Sequence, residues 1–360
     1  MKCVHQRIIS LVFLVFTIII SLFFILTAFR IASKKDLWQD EKNGLTSVNS
    51  SSYIGLIIYG AKHQGSGAPL DYIALKVLHQ IREFPILIKI PHNIYYRLGS
   101  IFFALSSSLF VIFIAHKKVT AVAEKILITG FQLSLLILAL LVYYFWPPIF
   151  NFYVEMRPYA LWYAIWFSLV SLYVIYEKLD IASLILWSVL AATAIAAIYQ
   201  IACFIFCYAI IRLFKKGKLL LVLKTIVKKF TASIFICFYY IFVNWGYGDY
   251  GGYDIYLKQF FDFWTHKEMI PFLSILGFAA SVWIGEVERS GVVFLTVLVL
   301  YIISPVINYI TLYNNFFFSS RQYVYYEVIY PVLFIHTALF WPKYIKKYKK
   351  FSGNVQKLWN

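Results

Sequence analysis

The sequence predicts an all-α protein whose helices form a polytopic transmembrane bundle. Hydrophobic residues make up 62% of the chain, charged residues only 14%, and the mean hydropathy is +0.75. Soluble domains carry about 45–50% apolar and about 25% charged residues, so this composition excludes an ordinary soluble protein. With about 20 residues per crossing, the chain has room for about ten spans and for no large aqueous domain. We therefore expect a single integral membrane domain over residues 1–360.

The first span is the uncharged run at 8–29, which is longer than the apolar core of about 7–15 residues in a cleavable signal peptide. No small-residue cleavage motif follows it, so we expect it to be retained. The run at 181–211 fits one steep helix or two short spans joined by a tight turn. Further apolar runs lie at 98–115, 126–150, 158–176, 230–248, 269–285, 290–320 and 322–342, the last interrupted only by Glu327.

Charge predicts the orientation of these spans. The chain carries 33 Lys and Arg against 16 Asp and Glu, a net charge of +17. If 181–211 is counted as two spans, most of the basic excess falls on one side, together with both termini and the tail at 343–360. The positive-inside rule makes that side cytoplasmic. The basicity is then a topology signal, with membrane lipid as a partner and no nucleic acid.

The same topology places a long first loop, at 30–97, on the extracytoplasmic face, followed by shorter outer loops at 150–157, 245–268 and 313–322. The first has too many charges to cross a membrane, but it is not uniformly polar. Between Pro69 and Ile81, apolar residues recur at i, i+3 and i+4. This spacing predicts a helix that lies in the plane of the membrane interface.

An adjacent pair of carboxylates in the first outer loop, Asp40 and Glu41, is the first candidate site. Such a pair near a membrane can deprotonate a hydroxyl group or hold a divalent cation, because neighbouring negative charge and partial desolvation raise a carboxyl pKa. The alternative is a solvated acidic loop beside Lys34, Lys35 and Lys42.

Arginines open several apolar runs from the outside. Arg157 precedes Pro158 and Tyr159, and Arg321 precedes Tyr323. An arginine at an outer helix start can hold a phosphate at headgroup depth, or it can snorkel to lipid and anchor its helix. Arg97 opens the second span in the same way, and there we favour the structural role.

A glycine-rich loop with many aromatic residues lies at 245–254 and includes Asp249 and Asp254, with His266 beyond it. Tyrosine and tryptophan rings stack on sugars, although aromatic residues also collect at every membrane edge. The histidines lack metal-ligand spacing and the four cysteines form no CxxC pair, so we expect no metal site.

Taken in order, these segments resemble polytopic glycosyltransferases of the GT-C type, in the bacterial group similar to protein O-mannosyltransferases and lipid A aminoarabinose transferases. The resemblance covers most of the chain and is strongest over 38–165. It rests on Trp38-Gln-Asp40-Glu41, Ala68-Pro69-Leu70-Asp71-Tyr72, Arg97-Leu-Gly-Ser100, Glu155-Met-Arg157-Pro158-Tyr159 and Arg321-Gln-Tyr323.

The resemblance implies transfer of a sugar, with inversion, from a polyprenyl-phosphate donor to a lipid, glycan or protein acceptor on the extracytoplasmic face. Asp40, with Glu41 beside it, corresponds to the base that takes the acceptor's proton. Arg157, Tyr159, Arg321 and Tyr323 correspond to residues near the donor phosphate. The weaker substrate-binding candidates are Asp71, Arg97, Asp249, Asp254 and His266.

No cofactor is expected, and a divalent cation is not indicated. Two alternatives remain open at this point. One is a transporter or flippase for lipid-linked glycans, and the other is a ligase or polymerase that joins preassembled glycans. The residues do not specify the donor sugar or the acceptor.

Overall fold

The computed structural model describes residues 2–60, 69–121, 126–156, 159–176, 181–194, 197–243, 262, 264, 267–313 and 325–359. Over these residues the chain is helical, with no β-strand, which confirms the predicted all-α class. The helices are α1 (Lys2–Lys34), α2 (Gln39–Ser50), α3 (Tyr53–Tyr59), α4 (Leu70–Ile81), α5 (Pro85–Ile88), α6 (His92–Tyr95), α7 (Leu98–Ala121), α8 (Ile126–Phe145), α9 (Pro147–Tyr153), α10 (Tyr159–Ile175), α11 (Ile181–Ala191), α12 (Ala197–Lys216), α13 (Leu219–Val243), α14 (Met269–Ile284), α15 (Val292–Tyr313) and α16 (Ile329–Trp359).

Within the described residues, 6 helical stretches are long and apolar enough to cross a membrane by length and composition. They are Arg7–Lys34, His92–Ala121, Leu127–Phe145, Ala197–Lys215, Val287–Val306 and Tyr325–Ser352. Three further apolar helices are shorter: Tyr159–Ile175, Ala182–Ala191 and Met269–Ile284. The composition of these helices is that of an integral membrane protein, with fewer long spans than the predicted total of about ten.

The run at 181–211 forms two helices. α11 ends at Ala191, the chain turns at 192–193, and α12 begins at Ala197. The Leu190 carbonyl at the end of α11 accepts both the Thr193 hydroxyl (2.6 Å) and the Thr193 N–H (3.1 Å). The break also borders α4, because the backbone N–H of Leu70 donates to the carbonyl of Ala192 (3.1 Å).

The centre of the bundle is α10. Every residue of this helix except Ile165 is buried, as expected for a helix that is apolar all round and enclosed by others. By contrast, α1 and α13 expose large apolar side chains along their length, among them Leu26 and Phe242. These outward apolar surfaces are the ones that face lipid in a membrane protein.

Several charged residues gather at one end of the bundle, which we call the basic end. Arg289 donates to the carbonyls of Val174 and Ile175 at the end of α10 (2.9 Å each). Glu288 pairs with Arg212 at the end of α12 (3.2 Å), and Lys343 of α16 pairs with Glu286. These contacts bring α10, α12, α16 and the π-helical turn Val287–Gly291 together at the same end.

Helices α2 to α6 form a layer at the opposite end, with its own small apolar core. The predicted helix at 69–81 is present as α4. Leu78 of α4 packs over α7 at Gly99, where a Cβ atom would lie 2.9 Å from the Leu78 Cδ1 atom, so a larger residue there would push the Leu78 side chain aside. Tyr72 and Leu75 are buried in the layer.

Candidate functional site

A buried ion pair between Arg97 and Glu41 lies where the helical layer meets the bundle. The Arg97 Nη2 atom is 2.9 Å from Glu41 Oε2, and Nε is 3.3 Å from Oε1, so the guanidinium and carboxylate meet as two parallel hydrogen bonds. Exposure of the two side chains is 0% and 1%. A pair this deeply buried needs further hydrogen bonds to offset the loss of water.

Arg97 donates those hydrogen bonds to carbonyls at the end of α1 and in the chain just after it. Nη1 donates to the carbonyls of Ala32 (3.0 Å) and Lys35 (2.6 Å), and Nη2 also donates to the carbonyl of Asp36 (2.9 Å). A guanidinium has five N–H donors, and these bonds together with the two to Glu41 use all of them. Arg97 therefore ties the carbonyls that follow α1 to the start of α7.

The hydrogen-bond acceptors of the Glu41 carboxylate are also fully used. Its Oε2 atom accepts the N–H of Trp38 (2.8 Å), which caps the first turn of α2, and its Oε1 atom accepts the N–H of Met156 (2.6 Å). We call Glu41, Arg97 and the Met156 N–H the latch. Because the donors and acceptors of the latch are occupied by protein groups, the geometry favours a positioning role for Glu41 and Arg97 over direct contact with a substrate.

The latch joins the motifs that the sequence singled out separately. Glu41 follows Asp40 in the first turn of α2, and Met156 directly precedes Arg157 in the chain. Next to it, the Ser100 hydroxyl donates to the carbonyl of Glu155 (2.7 Å). Three of the five motifs, at 38–41, 97–100 and 155–159, thus meet at one end of the bundle.

The remaining predicted site residues divide into described and undescribed ones. The backbone of Asp40 is helical, but its side chain lies outside the described part of the chain. Tyr159 begins α10, is buried, and packs edge-on against Phe152 (5.0 Å between ring centroids). The residues that lie entirely outside the described part are Arg157, Asp249, Asp254, His266, Arg321 and Tyr323.

Asp71 stands in the first turn of α4, one residue after the contact between Leu70 and Ala192. Burial raises the pKa of its carboxyl to about 7. A carboxyl group with a near-neutral pKa exchanges protons readily at physiological pH, as a general acid or base must. Among the described residues, no group of three or more His, Cys, Asp or Glu side chains is arranged to hold a metal ion.

A second buried charge pair, between Glu327 and Lys267, was not predicted as a unit. Glu327 lies in the short 3₁₀ turn at 325–328 before α16 and is fully buried. Its carboxylate pairs with Lys267 and accepts the indole N–H of Trp146 (2.8 Å). The pair joins the segment before α14 to the segment before α16.

The available signal for this pair was the single acidic residue inside the last apolar run. An ionisable residue in a membrane segment usually faces the bundle interior and has a partner. The partner could not be read from the sequence, because Lys267 is 60 residues away and opens a different helix.

Replacing Lys267 with Met is expected to destabilise the protein by several kcal/mol, because the Glu327 carboxylate would stay buried without its counter-charge. Glu327→Gln should cost less, since the amide can still accept from Trp146. Equilibrium unfolding in mixed micelles would measure both changes. Glu268→Gln, at an exposed neighbouring carboxylate, is the control and should change stability by less than about 0.5 kcal/mol. Equal effects of Lys267→Met and Glu268→Gln would contradict a stabilising pair.

No protein-family profile matches this chain, and no match to it was found among curated proteins or among solved structures. The residues and contacts described above are therefore what indicates the function.

Proposed function

We propose that this protein is a membrane glycosyltransferase that moves a sugar from a polyprenyl-phosphate donor to a lipid, glycan or protein acceptor on the extracytoplasmic face. The observation that supports this proposal most is the latch. It holds the turn that carries Asp40, the predicted base, next to the segment that leads into Arg157, a predicted phosphate ligand.

The proposed reaction is a single displacement. The acceptor oxygen attacks the anomeric carbon, the bond from that carbon to the phosphate oxygen breaks, and polyprenyl phosphate leaves. Asp40 takes the acceptor's proton. Arg157 and Arg321 bind the phosphate more tightly as its charge grows, which lowers the barrier by preorganised electrostatic stabilisation. In this scheme Glu41 and Arg97 position the site and do not touch the substrate.

The direct test is a transfer assay with purified protein, radiolabelled polyprenyl-phosphate sugars and an extract of the membrane. Movement of label into a new lipid, glycan or protein would support transfer, and the product would identify the acceptor. Label that moves only as intact long glycan would favour the ligase or polymerase alternative. Failure to transfer label from any donor would remove the proposal.

The proposed topology has about ten spans, with both termini cytoplasmic and residues 30–97 outside, and it is supported by the positive-inside rule. Single cysteines replacing Lys62 or Tyr250 should then react with a membrane-impermeant thiol reagent in intact cells. Cysteines replacing Lys117 or Lys216 should react only after the membrane is permeabilised. Labelling at position 117 in intact cells would show that this end of α7 is outside the cell and would contradict the proposed topology.

Arg157 and Arg321 can be tested for phosphate binding against helix anchoring. If both bind the donor phosphate, Ala variants should raise the donor concentration needed for half-maximal turnover. Lys variants should recover only part of the loss, because an ammonium lacks the planar fork. If the arginines only snorkel, Lys should serve equally well. Turnover against donor concentration at matched protein levels separates the two roles, and full activity of both Lys variants would contradict phosphate binding.

The buried Glu327–Lys267 pair favours a second candidate, transport of a lipid-linked glycan. Ionisable residues within membrane segments often mark a substrate pathway. In vesicles, a transporter would move the labelled lipid-linked sugar between leaflets without transferring it. Movement without transfer, lost in a Glu327→Gln variant, would select this candidate over the enzyme.

A further inference from the structure

The short helix α3 exposes an apolar face although it lies in a loop that is too charged to span a membrane. Ile54, Ile57 and Ile58 are 69%, 52% and 39% exposed and share one side of the helix by their spacing. Leu56, on the other side, is fully buried in the helical layer. A water-facing helix would not place three isoleucines outward in one patch.

The segment around α5 also exposes apolar side chains. Phe84, Ile86 and Ile88 are 63%, 82% and 57% exposed, whereas Leu87 packs into the layer. The two segments are linked, because Tyr53 at the start of α3 donates a hydrogen bond to Gln80 at the end of α4, four residues before Phe84. We call Ile54, Ile57, Ile58, Phe84, Ile86 and Ile88 the apolar lip.

Backbone polar groups at both ends of α3 form hydrogen bonds with other protein groups. At its start, the Ser52 hydroxyl accepts the N–H of Gly55 (2.9 Å). At its end, the carbonyls of Ile57 and Ile58 accept the hydroxyls of Tyr240 (2.6 Å) and Tyr239 (2.8 Å). Water normally serves the free carbonyls of an exposed helix end, but hydrocarbon cannot, so protein donors at this position suit a helix in lipid.

Those two tyrosines also fix the depth of α3, because they belong to α13. Around them, α13 exposes Phe235, Phe238 and Phe242 (71%, 60% and 80%). The apolar face of α3 is therefore continuous with the side of α13 that faces outward from the bundle. A lipid leaflet that covers α13 at this level meets α3 as well.

Helix α4, which the sequence predicted to lie in the membrane interface, is less suited to contact with lipid. Ile73 and Leu78 of α4 pack into the layer, and the Lys76 ammonium donates to the carbonyl of Val48 (3.0 Å). An exposed basic residue, Lys89, instead borders the lip directly after Ile88. Long cationic side chains beside an apolar surface typically reach the headgroup region.

We infer that the apolar lip is embedded in the outer leaflet, so that α3 and the α5 segment are in-plane membrane anchors. The acyl chains cover the isoleucines and Phe84, while Lys89 lies at the level of the lipid phosphates. This inference concerns membrane contact and does not depend on the proposed sugar transfer.

The test measures contact with acyl chains in the full-length protein in phosphatidylcholine nanodiscs. Single cysteines replace Ile54 or Ile86 in a Cys3→Ser background, since the other three cysteines are buried, and each carries an environment-sensitive fluorophore. A cysteine replacing Asn49, exposed on the polar side of α2, is the control. Doxyl-labelled acyl chains should quench the probes at 54 and 86 several-fold more than the probe at 49.

A second measurement avoids any effect of the substitutions on folding. The unmodified chain is photolabelled by lipids that carry a diazirine on the acyl chain, and adducts are located by peptide mapping. Adducts are expected in peptides covering 53–59 and 84–88 and not in 42–50. Quenching at position 86 no stronger than at 49, or adducts absent from both lip peptides, would overturn the inference. The inference would also be overturned if a second copy of the protein covered the lip. In that case energy transfer between probes would rise with protein concentration, and the lipid would not quench them. Neither measurement uses sugar-transfer activity, so a failure of this inference can be told apart from a failure of the proposed function.

Discussion

In the proposed sugar transfer, replacing Asp40 with Asn is expected to lower the rate by about 10²–10⁴-fold, the usual contribution of a general base, without preventing folding. The amide cannot take the acceptor's proton, but it is nearly the same size as the carboxylate. The contacts that the structure describes for the latch are made by the side chains of Glu41 and Arg97 and by backbone groups. Initial rates with saturating donor, at matched amounts of folded protein, would measure the change.

The matched control is Asp36→Asn. Asp36 precedes α2 by three residues and its carboxylate is exposed, while only its backbone carbonyl contacts Arg97. This variant should keep nearly full activity, since the carbonyl is unchanged. An Asp40→Asn variant whose transfer rate stays within a few-fold of wild type would remove Asp40 from the proposed mechanism. Asp71, whose carboxyl pKa is raised by burial to about 7, would then become the next candidate base.

Local patterns were sufficient to predict much of the fold. The i, i+3, i+4 spacing between Pro69 and Ile81 predicted α4, because one helix face repeats with this period. The lipid-like composition predicted the all-helical class. The break between α11 and α12 could not be predicted locally, since no glycine or proline lies at 181–211. The break is accompanied by a tertiary contact, from Leu70 to Ala192, across a long sequence separation.

The candidate site was predictable in composition but not in pairing. The sequence grouped Asp40 with Glu41 as adjacent carboxylates, yet neighbours on a helix do not share a face. Glu41 instead pairs with Arg97, 56 residues away, and with the N–H of Met156, 115 residues away. Only the folded chain brings these groups together. From the sequence, Glu41 was expected to be catalytic, and Arg97 was expected to be structural, with substrate binding as its weaker alternative. Those expectations stay untested, although the saturated geometry favours positioning roles.

Removing one partner of the latch is expected to have the largest effect on stability of any change described. Arg97→Ala should lower the free energy of unfolding by about 3–5 kcal/mol, because it strands the buried Glu41 carboxylate. It also leaves the carbonyls of Ala32, Lys35 and Asp36 without the donors that now serve them. Glu41→Ala should cost a similar amount, since it strands the buried guanidinium and uncaps α2. Unfolding of purified protein in mixed micelles, followed by circular dichroism, would give both values.

The double variant Glu41→Leu/Arg97→Met tests whether the cost comes from stranded charge. With both charges removed, the loss should be clearly smaller than the sum of the two single losses, leaving mainly the unmet backbone groups. Glu288→Gln at the basic end is the control. Its partners Arg212 and Lys215 are 24% and 49% exposed, so water can replace the lost contacts and the change should stay within about 1 kcal/mol. Strictly additive losses in the double variant would mean that the two residues act separately, and the latch could not then be what holds Asp40 beside the segment leading into Arg157.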